Sequence, residues 1–287
     1  MKMARFKYFK VLIVLTLTLF ISMSSAISAR AAGPIIPMGF FFENPYSITG
    51  VQVNVEIIDL DSPPDGVLIM NKYRVDINLF ENLFGVYAIF PFSGVINFGP
   101  GNDDQYDFGN IGVGGKMVLL QSEGLVVTSG VELIIPTADG GLGAAAAVAY
   151  FKDMPYFLDD AFTVSPYVVM ATGVDWWALQ ASFGLDIITN ADELEGDNTE
   201  LRLKYGVTGS VTPEFRFPFS TTFLVETMFI TTTTFDDDDT EIYVTPGFRL
   251  GGQVLSVGGG VQIPVGEDVD NFANANYFVD LLFRFGS

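Results

Sequence analysis

From residue 47 onward, apolar and polar residues alternate in short runs. In 71–80, Tyr73, Val75, Ile77 and Leu79 alternate with Lys72, Arg74, Asp76 and Asn78. A period of two puts the two kinds on opposite faces of a β-strand. The same parity recurs at 51–57, 177–187, 201–208, 223–229, 242–250 and 277–285. Segments 84–96 and 162–172 carry apolar residues on both parities, so periodicity alone does not assign their faces. The connections alternate as well. Long acidic loops are expected at 59–66, 97–108, 137–160, 190–198, 235–239 and 265–274, and short connections at 81–83, 121–124, 173–175, 212–218 and 251–253.

Six long loops and five short turns predict 12 antiparallel strands with both termini on one side, the signature of an all-β, up-and-down transmembrane barrel. The apolar stretch 143–152, GAAAAVAYFK, is either a strand or a loop element, and reading it as a strand raises the count to 14. Charge follows the same division. The long loops hold 21 of the 34 acids, whereas charges within strands fall on the polar parity: Glu56, Lys72, Arg74, Asp76, Lys116, Glu132, Asp186, Arg202, Lys204, Glu226, Arg249, Asp280 and Arg284. A charge facing hydrocarbon costs roughly 2–4 kcal/mol near the bilayer midplane, so these 13 are expected to line the lumen. A soluble β-sandwich also separates its faces, but it hides the apolar one and gives the other more Lys, Thr and Ser. Trp176, Trp177, Phe215, Phe217 and Phe219 near short turns, with Phe162 and Phe235 at long loops, suit interfacial aromatic girdles as well as ordinary β packing.

The N-terminus changes the picture of the compartment. Lys2, Arg5, Lys7 and Lys10 precede a 13-residue apolar run at 11–23, and Ala29-Arg30-Ala31 fits a small-residue cleavage site. The run is shorter than the ~20 residues a spanning helix needs, which favours a bacterial export signal at 1–31 over a membrane anchor. Its removal takes away five bases and no acid, leaving nine bases against 34 acids and a charge of -25. Residues 32–46 then form an extension, Pro-rich and apolar, that either enters the lumen as a plug or stays at the periplasmic mouth; the barrel occupies 47–287. The chain has no Cys and no His. That excludes disulfides, Cys/His zinc sites and His-dependent catalysis, so no enzyme and no cofactor is expected. The acidic balance disfavours nucleic acid.

Other candidate chemistry is weaker. The run Phe235-Asp236-Asp237-Asp238-Asp239 and the stretch 190–198 are carboxylate-rich but lack the glycine and ligand spacing of a calcium loop. Solvated loops, or loops bridged by divalent cations to lipopolysaccharide, account for them. Gly112, Gly114 and Gly115, and Gly258 to Gly260, lack the helix and Lys-Ser/Thr of a phosphate loop and read as bends or close lumen contacts. Lys72 and Arg74, with Arg202 and Lys204, form either a cationic constriction or a zipper with Glu132, Asp186, Glu226 and Asp280 that closes the lumen.

The stretches 110–140, 165–185, 243–266 and the last strand, VDLLFRF, resemble a family of bacterial outer-membrane barrels named after the meta-pathway of phenol degradation. Thr245-Pro246-Gly247 and Gly258-Gly259-Gly260-Val261-Gln262 match its late hairpin, and Pro136-Thr137-Ala138-Asp139 has Ala where the family has Gly. The chain ends two residues beyond Phe285, where such barrels typically finish on the aromatic itself. The resemblance implies a barrel with a transport role. The expectation is therefore an outer-membrane channel or passive transporter for small solutes, hydrophobic or aromatic ones among them, in contact with outer-membrane lipid and lipopolysaccharide. The alternative is a structural or surface-interaction barrel with a closed lumen. Nothing in the sequence fixes an oligomeric state.

Overall fold

The computed structural model describes residues 39–60, 66–80, 83–96, 105–138, 140–174, 176–189, 199–213, 220–232, 240–251, 254–265 and 273–285. The export signal, the Asp236–Asp239 run, the stretch 190–198 and Phe215, Phe217, Phe219 and Phe235 lie outside them.

Thirteen strands are described, all in antiparallel pairings: β1 (Gly50–Leu60), β2 (Gly66–Leu79), β3 (Phe84–Ile96), β4 (Gln105–Phe108), β5 (Ile111–Ser122), β6 (Leu125–Ile135), β7 (Phe162–Val174), β8 (Trp177–Thr189), β9 (Thr199–Val211), β10 (Ser220–Thr232), β11 (Thr240–Gly251), β12 (Leu255–Pro264) and β13 (Ala273–Arg284). Val55 of β1 lies opposite Val279 of β13, and Tyr73 of β2 opposite Phe90 of β3, so the sheet closes on itself. Closure removes the free edges that hydrocarbon cannot satisfy. β4 and β5 share one position in the wall: β3 pairs with β4 along 92–95 and with β5 along 84–89. The wall is therefore a closed 12-stranded barrel, as the loop alternation predicts. Tight turns such as Glu123-Gly124 mark one rim, where Gly124 adopts a φ of +78°. Two prolines interrupt the wall ladders. Pairing skips Ser165 and Pro166 between β7 and β8, and Thr245 and Pro246 between β11 and β12, because proline offers no N–H.

The outer face is apolar. Ile57, Tyr73, Val75, Ile77, Val113, Met117, Val131, Leu179, Phe183, Val207, Val225, Phe248 and Val279 all point outward and are exposed. Phe80, Trp176 and Phe285 stand exposed at the short-turn rim. An apolar belt of this kind is solvated by lipid, not water. The ambiguous strands resolve as β3 and β7. Their inward residues Tyr87, Ile89, Val95, Val169 and Ala171 are buried, because the lumen beside them is packed with protein and not filled with water.

The stretch 143–152 is not a strand. Residues Leu142–Ala149 form helix α1, followed by a 3-10 turn at Met154–Tyr156, and Ala144, Ala147 and Tyr150 are fully buried. The segment packs against β2, β3 and β4 inside the barrel. Its first turn is capped from another strand: the Gly143 and Ala144 amides donate to Asp107 Oδ2 at 2.7 and 3.1 Å, a carboxylate at the positive helix end. Three acids expected in solvated loops are therefore placed otherwise. Asp59 belongs to β1, Asp107 belongs to β4, and Asp153 is buried in the lumen.

The face assignment has a direct test. Leu203 is on the lipid parity of β9, and Arg202 is fully buried on the other. Leu203→Arg is expected to impair membrane insertion far more than Arg202→Leu and to destabilise the barrel in vesicles by about 2–4 kcal/mol, read from urea unfolding; equal effects of the two changes would contradict the assigned faces.

Candidate functional site in the lumen

Two inserted pieces of chain fill the interior. The first is residues 39–49, which enter from the short-turn rim ahead of β1. Phe40 lies across Gly247 and Gly258, where an added Cβ would come within 2.6 and 2.5 Å of its ring. Its ring meets Phe278 edge-on at 4.6 Å. Gly206 makes the same kind of room for Phe42. Gly247 of the TPG motif and Gly258 of the GGG motif are thus the floor on which Phe40 rests. The Phe40 amide donates to Glu226 Oε2 at 3.1 Å, and Gln180 Nε2 donates to the Glu43 carbonyl at 2.9 Å. Glu43 holds the wall by its charge: it pairs with both Arg74 terminal nitrogens, one at 2.9 Å, and with Lys116 Nζ at 3.4 Å. Burial alone would raise the Glu43 pKa, but Arg74 and Lys116 outweigh it and hold the carboxyl at about 2.

The second piece is the connection 136–161, which enters from the opposite rim. Asn110, at the break between β4 and β5, ties it down: Nδ2 donates to the carbonyls of Pro155 and Leu158, and Oδ1 accepts from the Thr137 and Ala138 amides. Further in, Lys152 pairs with Glu56, Asp153 accepts from Lys72 at 2.8 Å, and Arg202 donates to the Lys152 carbonyl. Burial opposes ionisation of Asp153, yet Lys72 and Lys152 hold its carboxyl well below the usual range. The Lys152 ammonium also sits 3.9 Å from the centre of the Phe41 ring. The two insertions therefore touch each other within the barrel.

Of the 13 strand charges, 12 face the interior. Arg284 sits half-buried at the short-turn rim. Arg74 binds Asp76 at 2.9 Å, Arg249 binds Asp280 at 2.7 Å, and Arg202 approaches Asp186 at 3.9 Å. Glu132 and Glu226 meet no cation within 4 Å among the described residues. Glu132 accepts from the phenols of Tyr156 at 2.5 Å and Tyr87 at 3.1 Å, and Glu226 accepts from Phe40 N and Thr208 Oγ1. Burial pushes the Tyr156 phenol well above its ordinary pKa and Glu132 adds to this, so it remains a donor. Sequence reasoning missed Glu43 and Lys152 as interior charges and Tyr87, Tyr156 and Tyr167 as interior phenols. A lone acid in an apolar Pro-rich segment was the only signal for Glu43.

Among the described residues, two cavities flank the first insertion. One of about 110 Å³ lies toward the short-turn rim beside Arg74, Asp76 and Arg249. The other, of about 150 Å³, lies toward the long-loop rim beside Tyr156, Tyr167 and Lys204. Phe41, Phe42, Glu43 and Lys72 line both, so residues 41–43 stand between them. The larger cavity also reaches Ser165 and Pro166, where the β7–β8 ladder is interrupted.

No family model and no curated protein matches the chain. Solved structures do. The fold is similar to an outer membrane channel from Pseudomonas putida F1, with TM-score 0.56, 14% identity, and 88% of this chain and 100% of that one covered. It is also similar to the β domain of the Bordetella autotransporter BrkA and to LpxR from Salmonella typhimurium, each with TM-score 0.50, 11% identity, and 83% of this chain and 100% of that one covered. At these identities the likeness establishes the shared barrel fold.

Proposed function

We propose that the protein is a passive route for small solutes across the bacterial outer membrane, held shut by residues 39–46 as a plug. One observation carries this reading: the interior is not a continuous core, but two cavities separated by a short inserted segment. A wall zipped only by its own side chains would leave no such division. In this reading residues 1–31 direct export, the belt of outward apolar residues contacts lipid, the rim faces lipopolysaccharide, and the 12 inward charges with Arg284 form the polar lining. The glycine motifs that support Phe40 favour membership of the barrel family named for phenol degradation. Apolar solutes suit the site because Phe40, Phe41 and Phe42 occupy it now, and the ladder gap at Pro166 offers them an exit toward hydrocarbon.

Removing residues 39–46 tests the reading in planar bilayers. The folded deletion variant, checked by its shifted mobility on unheated gels, is expected to give large, steady single-channel steps where the intact protein gives rare small ones. A folded deletion variant that passes no current and no solute would instead identify a closed, structural barrel.

A further inference from the structure

Among the described residues, the lumenal cations make direct contact with an acceptor, with one exception. Lys72, Arg74, Lys116, Lys152, Arg202 and Arg249 are each bound to a carboxylate or a carbonyl. Lys204 lines the larger cavity and interacts at longer range with Asp153 and Asp186, but it makes no hydrogen bond and no ion pair within 4 Å among the described residues. The carboxylates around that cavity are already engaged. Asp153 is bound by Lys72 and Lys152, Asp186 accepts from Ser165 Oγ at 2.8 Å, and Glu132 is held by Tyr87 and Tyr156. Glu43, which also lines the cavity, is taken by Arg74 and Lys116. An ammonium has three donors and no acceptor, so Lys204 is left without an acceptor in direct contact.

The space beside Lys204 has a defined shape. Tyr167, Gly184 and Lys204 lie directly opposite one another across β7, β8 and β9, on one face. Gly184 leaves that row without a side chain at its middle, and a Cβ built there would meet nothing closer than 3.7 Å. Phe41, Phe42 and Tyr156 supply the remaining rings. The volume, about 150 Å³, matches that of an apolar cavity known to accept one benzene ring.

We propose that this cavity binds a small aromatic monocarboxylate, its carboxylate on Lys204 Nζ and its ring in the gap above Gly184 between Tyr167 and Phe42. Lys204 is then the specificity-determining cation of the lumen. The inference rests on the transport reading only in that the ligand must reach the cavity; occupancy itself does not require flux.

Equilibrium dialysis of radiolabelled benzoate against the purified full-length barrel in detergent, at about pH 7 where the carboxylate is ionised, tests it. Saturable binding near one site per barrel is expected, with competition by benzyl alcohol at least about tenfold weaker, the scale of one lost charge-assisted contact. Lys204→Met is expected to weaken binding by about tenfold or more, Lys204→Arg to retain it, and Gly184→Leu to fill the gap and abolish it. Each variant is checked for folding by its mobility on unheated gels. Non-saturable uptake of benzoate, or unchanged binding in folded Lys204→Met, overturns the site. Benzoate binding with a deletion barrel that passes no current overturns the transport reading alone; current without saturable benzoate binding overturns this site alone.

Discussion

Glu43→Gln is expected to raise the open fraction of the barrel by about a hundredfold. Glu43 is the only charge that residues 39–49 bring into the lumen, and it answers two wall cations at once. Breaking a buried, hydrogen-bonded ion pair costs about 3 kcal/mol or more, and about 1.4 kcal/mol is tenfold in an equilibrium. The loss falls on the closed state, because with the segment withdrawn Arg74, Lys116 and Glu43 all meet water. The same residue sets the pH response. Its carboxyl is held at about 2 against an ordinary 4.5. A lowered folded-state pKa means that the contact contributes in full above the ordinary value and is lost as pH falls toward about 2. The ratio of wild-type to Glu43→Gln open probability in single-channel recordings should therefore be constant from roughly pH 8 to roughly pH 5 and change only in stronger acid. In Glu43→Gln the opening is already high and this acid response is absent. Wild-type and variant traces that match, or a ratio between them that already changes near pH 5, would show that Glu43 does not hold the segment in place.

The wall was legible in the sequence because lipid outside and charge inside impose opposite demands on successive residues. Tyr73, Val75 and Ile77 against Lys72, Arg74 and Asp76 state the two faces of β2 outright, and both register and exposure follow that parity. Parity failed where both sides of the wall are greasy. In β3 and β7 the inward Ile89, Val95 and Val169 face inserted chain, and no local pattern announces a segment that arrives from elsewhere. Helix α1 was illegible for a related reason. GAAAAVA has no polar face, since it is buried on more than one side, so neither period appears. The site itself was only half legible. Arg202 and Asp186 lie opposite each other on neighbouring strands, and Arg249 and Asp280 flank Gly258 from either side of β12, so register makes both pairs predictable. The Glu43–Arg74 and Lys152–Glu56 pairs span 31 and 96 residues and depend on how the insertions fold.

Glu56→Gln is expected to loosen the inserted connection 136–161 while leaving the wall closed. Glu56 is fully buried on β1, bonded to Lys152, 3.5 Å from Lys72, and accepting from Asn276 Nδ2. With Asp153 it neutralises two ammonium groups; without its charge, Asp153 alone faces both. An uncompensated buried charge costs about 3–5 kcal/mol. The wall ladders do not run through this cluster, so the cheaper relief is withdrawal of Lys152 and Asp153 toward the long-loop rim. Phe41 loses its cationic neighbour in the same step, which couples this insertion to residues 39–49 from the other rim. Limited proteolysis should then cut within 136–161 in Glu56→Gln and not in the wild type, while the barrel keeps its mobility on unheated gels. Adding Lys152→Met removes the stranded charge, so the double variant should be more stable than the sum of the single changes by about 1–3 kcal/mol, the coupling of residues in one network. Additive effects in urea unfolding from vesicles would mean that Glu56 and Lys152 do not act together, and that the connection is held by Asn110 and the buried apolar face of α1 alone.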